Sequence, residues 1–115
     1  MQSAPFQFSA ALPWEDLKNG LQRQLFGYDD KVMMLKIKFA TGAAGSLHRH
    51  PHSQVTYIES GVFDMTIDNV TKRLSTGDGY YVQPGLEHGI VCIEAGMLVD
   101  VFSPHREDFL SKEQS

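Results

Sequence analysis

Cysteine, basic runs and long apolar stretches are all scarce in this chain. There is one cysteine, Cys92, so no internal disulfide can form and nothing ties the fold to an oxidising compartment. Flanked by Val91 and Ile93, it reads as a small buried hydrophobe rather than a reactive thiol. Lysine and arginine total 10 against 14 aspartates and glutamates, a net charge of −4. With no basic cluster, the chain is a poor partner for nucleic acid or an anionic membrane surface. No stretch approaches the ~18 consecutive apolar residues of a membrane span. Residues Met1 to Trp14 contain neither a basic residue nor a long apolar run, which argues against a secretory signal. The expected setting is the cytoplasm.

The 115 residues fit one compact domain, and 42% hydrophobic with 21% charged residues is the balance of a chain that can bury a core unaided. What the sequence has in quantity is punctuation. Ten glycines separate short runs with strand-like alternation. Leu35, Ile37 and Phe39 alternate with Lys36 and Lys38 as in a half-buried strand. Gln54 to Ser60 and Val62 to Ile67 flank Gly61, which suggests a tight hairpin there, and Asp68-Asn69 reads as the next turn. Val70 to Leu74, Gly79 to Val82, Gly89 to Ile93 and Met97 to Ser103 continue the series. Short strands at this spacing indicate an all-β sandwich or barrel. The expected layout is a single domain over 1–115, with N-terminal strands within 5–28, a barrel over about 30–104, and a segment 105–115 that starts with a helical turn and ends in a polar tail. Trp14, Tyr57, Tyr80 and Tyr81 read as core or interface, and Met33 and Met34 as core fillers.

The five histidines are unevenly spread. Three fall in Leu47-His48-Arg49-His50-Pro51-His52. In a strand, positions 48 and 50 share a face about 6 to 7 Å apart, a spacing that lets two imidazoles chelate one ion. Gln54 follows at the same parity, and a second cluster, Gly77 through Gly85 to His88, brings another imidazole from a distant strand. His52 reads as a polar rim residue, because Pro51 cannot donate to a ladder. His105, in a loop after Pro104, reads as solvent-exposed.

The spacing Gly42, His48, His50, Gln54, Gly61 resembles the first motif of the cupins, and Gly77 through Gly85 to His88 resembles the second. The resemblance implies a double-stranded β-helix, or jelly-roll barrel, holding one divalent metal ion through His48, His50, Gln54 and His88. Three positions depart from the pattern: Gln54 replaces the usual glutamate, Gln83 a proline that here comes one residue later, and Cys92 an asparagine. Only the first touches the ligand set. Three neutral imidazoles and a neutral amide leave the ion's double charge uncompensated, which favours Lewis acidity and anionic ligands. Zinc, nickel, manganese, iron and copper all suit such a set.

The run Gly96 to Ser103 is almost wholly apolar except for Asp100. Alternation puts Leu98, Asp100 and Phe102 on one face. A carboxylate there must be paired, hydrogen-bonded or functional, and burial raises its pKa toward the range of a proton carrier. Arg106, just beyond, reads from its neighbours alone as a surface partner of Glu107 or Asp108. Four segments, Trp14 to Leu17, Val32 to Met34, His48 to Tyr57 and Val99 to Leu110, resemble the small pectin-degradation cupins of the KdgF type, and the likeness runs over about residues 6–110. That resemblance implies three catalytic residues, Asp100, Phe102 and Arg106. It also implies an activity: conversion of 4,5-unsaturated monouronates, from pectin or alginate breakdown, to linear keto-deoxyuronates. Arg106 would bind the uronate carboxylate, Phe102 would pack on the ring, and Asp100 would shuttle a proton, either in ring opening or in water addition to the enol ether. A metal-dependent dioxygenase leaves Asp100 and Arg106 without roles, and a non-catalytic sugar-acid binding module needs no proton carrier. A homodimer is expected, since open sheets cover their edges.

Overall fold

The structure is a computed structural model and describes residues 1–110; the polar tail expected at 111–115 lies outside them. The strands are β1 Glu15–Lys18, β2 Leu21–Tyr28, β3 Met33–Phe39, β4 Ala44–His48, β5 Ser53–Ile67, β6 Val70–Ser75, β7 Gly79–Val82 and β8 His88–Ser103. A single 3-10 turn, Ser9–Ala11, precedes them, and a one-turn helix, α1 Glu107–Leu110, follows. Among the described residues no helix is long and apolar enough to cross a membrane.

The two long strands organise everything else. β5 and β8 pair antiparallel from Ser53↔Ser103 to Ile67↔His88. At one end, β8 is flanked by β3 and, beyond it, β2 and β1, while β5 is flanked by β7. At the other end, β8 takes β4 and β5 takes β6. Two half-sheets therefore share two bent strands, which makes an all-β jelly roll. The hydrogen-bonded path does not close on itself; the two halves face each other across the core.

The bend explains where the glycine punctuation misleads. Gly61 does not make a hairpin: the runs on either side are halves of one strand. It has φ 94, and the ladder slips register between Ile58 and Phe63, so it forms a bulge that turns the strand without reversing it. A Cβ at Gly61 would lie 2.7 Å from the Glu94 carbonyl oxygen. Opposite it, a side chain at Gly96 would overlap the Ser60 backbone, and the runs on either side of that glycine likewise form one strand. The reversal comes at Asp68-Asn69, where φ values of 48 and 68 match the two-residue turns that suit strand twist.

Parity decides which side chains fill the interior. Phe39, Ile58, Phe63, Met65, Val82, Ile90, Cys92 and Leu98 form the main cluster, with Phe39 and Phe63 edge-to-face at 5.2 Å. Met33, Leu35 and Phe102 form a second, closed off by Phe109 and Leu110 of α1. Met33 fills the core as expected, but Met34 is 42% exposed, because the next residue of a strand points the other way.

Candidate metal centre and cavity

The histidines do converge, though not from one strand. β4 ends at His48 and β5 begins at Ser53; Pro51 keeps the intervening residues out of a ladder. His50 is held in that loop, where its carbonyl accepts from the Gly85 amide at 2.9 Å. His48 and His88 are directly paired across β4 and β8. Ring centroids lie 4.3 Å apart for His48 and His88, 4.7 Å for His50 and His88, and 5.6 Å for His48 and His50. One nitrogen of each can be chosen so that all lie within 4.8 Å of one another.

Hydrogen bonding selects which nitrogen. Each Nδ1 faces a backbone carbonyl: His48 that of Ser46 at 2.7 Å, His50 that of His52 at 3.1 Å, His88 that of Leu86 at 3.0 Å. A carbonyl only accepts, so Nδ1 carries the proton and Nε2 is left as a lone pair. The Nε2 of His88 is buried and has no hydrogen-bond partner among the described residues. The Nε2 of His50 stands 3.0 Å from the Gln54 side-chain oxygen Oε1, two acceptors facing each other. A cation between them removes that conflict. Burial lowers the pKa of His50 and of His88, which keeps both rings neutral and available to a metal. These residues fit a divalent ion.

Gln54 reaches in two directions. Its Nε2 donates to Thr56 Oγ1 at 3.0 Å and to Asp100 Oδ1 at 3.3 Å. The neighbouring carboxylate fixes the amide orientation, since an oxygen there would be repelled. Thr56 Oγ1 in turn donates to Asp100 Oδ1 at 2.5 Å. Asp100 is 7% exposed. Burial pushes its pKa up to about 6, against the pull of the Thr56 and Gln54 hydrogen bonds and the Arg106 charge. Because both bonds go to Oδ1, Oδ2 is the oxygen left to exchange a proton. Burial also raises the Tyr80 hydroxyl, with the Asp100 charge adding to the effect.

Arg106 is at once the ion pair its neighbours suggest and part of the site. Its Nε and Nη2 donate to the two Asp108 oxygens at 3.0 and 2.8 Å, and its guanidinium lies 5.1 Å from the Phe102 ring centre and 4.3 Å from that of Phe109. Phe102 stands between the clusters, 5.6 Å from the His50 ring and 5.9 Å from Phe109. His52 is half-buried, 6.3 Å from Phe102, and His105 is half-exposed with Nδ1 3.1 Å from the Asp30 carbonyl.

One cavity of about 280 Å³ joins these groups. His48, His88, Gln54, Asp100, Phe102 and Arg106 line it, together with Tyr80, Phe109 and Arg23. That size lies at the lower edge of the ~300–1,000 Å³ usual for small-ligand sites and suits one sugar ring better than a chain of them. Sequence reasoning missed Thr56, Tyr80, Arg23 and Phe109. Thr56 had a usable signal, sharing parity with Gln54 on a strand; Arg23 had none, since its strand neighbours do not reveal a cavity.

A jelly roll with three imidazoles gathered at its mouth defines a cupin, and the cupin domain family matches residues 35–102. The chain belongs to that family, as a KdgF-like cupin. It is 41% identical over 100 residues to the pectin degradation protein KdgF of Dickeya dadantii (strain 3937), covering 85% of this chain and 91% of that one. Among solved structures, a RmlC-like cupin from Shewanella frigidimarina NCIMB 400 superposes with TM-score 0.92 at 45% identity, covering 94% of this chain and 97% of the other. KdgF from Halomonas sp. superposes with TM-score 0.89 at 31% identity, covering 93% and 99%.

Proposed function

We propose that this protein converts 4,5-unsaturated monouronates, from pectin or alginate breakdown, to linear keto-deoxyuronates. The observation that carries this reading is Asp100, a buried carboxyl of raised pKa that is hydrogen-bonded to Gln54 and shares one ring-sized cavity with the histidine cluster and Arg106. The similarity to proteins named for pectin degradation supports the substrate class.

Held by His48, His50, Gln54 and His88, a zinc, nickel, manganese, iron or copper ion would supply Lewis acidity toward an oxygen of the sugar acid. The chain's own groups do the rest. Arg106 binds the carboxylate. Phe102 gives the ring an apolar wall and excludes water from one side. Asp100 carries a proton on Oδ2, while Thr56 and Gln54 keep Oδ1 still. Burial raises its pKa, and it can take a proton from the anomeric hydroxyl as the ring opens, or pass one during water addition to the enol ether. A dioxygenase would leave Asp100 and Arg106 idle.

The direct assay supplies a lyase-generated unsaturated uronate to metal-loaded protein and follows the absorbance of the conjugated double bond. Loss no faster than in buffer would sink the proposal. We also propose a cytoplasmic homodimer. Its support is an outward row in register across four strands, Met34, Val101, Val55 and Tyr81, in which Val55 is 54% and Tyr81 58% exposed. Apolar surface gathered in this way suits a partner better than water.

A further inference from the structure

Arg23 sits on β2 with its guanidinium buried. It is 9% exposed and lines the same cavity as His48, His88 and Arg106. Its guanidinium lies 4.0 Å from the ring centre of Phe109, the same ring over which Arg106 lies at 4.3 Å. Two cations on one aromatic ring repel each other, and burying them costs hydration. Each is backed by its own carboxylate. Arg106 gives Nε and Nη2 to Asp108 at 3.0 and 2.8 Å. Arg23 gives the same two nitrogens to Glu15 Oε1 at 3.1 and 2.7 Å, its direct cross-strand partner on β1.

The two arginines are thus built alike. In each, the side-on edge is occupied by a carboxylate, and the end-on edge, at Nη1, has no hydrogen-bond partner among the described residues. The Arg106 guanidinium, expected to bind the uronate carboxylate, is already filled along one edge by Asp108. If Arg23 served only to pack Phe109, an aliphatic side chain would do so without the desolvation cost. A carboxylate has two oxygens and room for several donors, and both guanidiniums line this one cavity beside Phe109.

We propose that Arg23 is a second anion-binding residue of this cavity, donating with Arg106 to the carboxylate of a monomeric sugar acid. This deepens the uronate reading above and rests on it.

The test is calorimetric binding to the intact, metal-loaded protein of galacturonate, a saturated acid with no double bond to process, and of galactose, its neutral counterpart. The unaltered chain should prefer the acid. Arg23→Gln should lose about tenfold or more of that preference, the scale of a charged hydrogen bond, with galactose affinity and metal content unchanged. Arg23→Lys should restore part of it. If Arg23→Gln keeps the full preference, or weakens both sugars equally, Arg23 is structural and the proposal is overturned. A preference abolished by Arg106→Gln but untouched by Arg23→Gln would remove Arg23 and leave the uronate reading standing. No preference in the unaltered chain would overturn both.

Discussion

Replacing Asp100 by asparagine should stabilise the metal-free protein at neutral pH while abolishing turnover. Asp100 rises from the ordinary value of 3.8 to about 6 on folding, chiefly by burial. The sign follows from linkage. Below the unfolded value both states hold the proton and the residue is neutral to stability. Above about 6 the folded state must bury a carboxylate that the unfolded state solvates freely, so stability is lost as pH rises between the two values. The full loss is about 3 kcal/mol by pH 8, against about half a kcal/mol at pH 4. An asparagine oxygen can still accept from Thr56 and Gln54, and its amide carries no charge to bury. Urea unfolding with chelator present, at both pH values, measures the effect. The asparagine variant should exceed the parent by about 2–3 kcal/mol at pH 8, with the gap nearly closed at pH 4. The same variant should still bind metal. A gap that does not change with pH, or a variant less stable at both, would refute the view of Asp100 as a carboxyl held at a cost to the fold.

Gln54→Glu should keep the metal but cut turnover at least about tenfold, because the new carboxylate would sit beside Asp100 and the pair would compete for protons; metal analysis with steady-state kinetics checks it. Thr56→Val should cost about 1–3 kcal/mol by leaving Asp100 Oδ1 short of a donor, and Thr56→Ser should recover most of that in urea titrations. Metal should raise the melting temperature, with about 2.7 kcal/mol of stabilisation at a hundredfold excess over Kd. Tyr81→Lys should leave a monomer in sedimentation if the outer row is the dimer face.

Much of this protein is local in the sequence. Strand parity put Leu98, Asp100 and Phe102 on one face, and in the structure all three are buried at 2, 7 and 3% exposure. Motif spacing named the three histidines that gather, because ligands for one ion must recur at fixed offsets from the turns that carry them. What parity cannot tell is where a strand bends. Gly61 and Gly96 looked like breaks and are the corners at which two strands pass from one half-sheet to the other. His48 and His50 looked like neighbours on one strand, yet they meet because a proline loop folds back. Arg23, Tyr80 and Phe109 reach the cavity from distant segments, and the site charge depends on Glu15 and Asp108 standing behind the two arginines. Periodicity grouped side chains by face, and motif spacing picked out the histidines. Only the tertiary structure decided which of them share one cavity, because long-range strand pairing, not sequence distance, sets what each side chain touches.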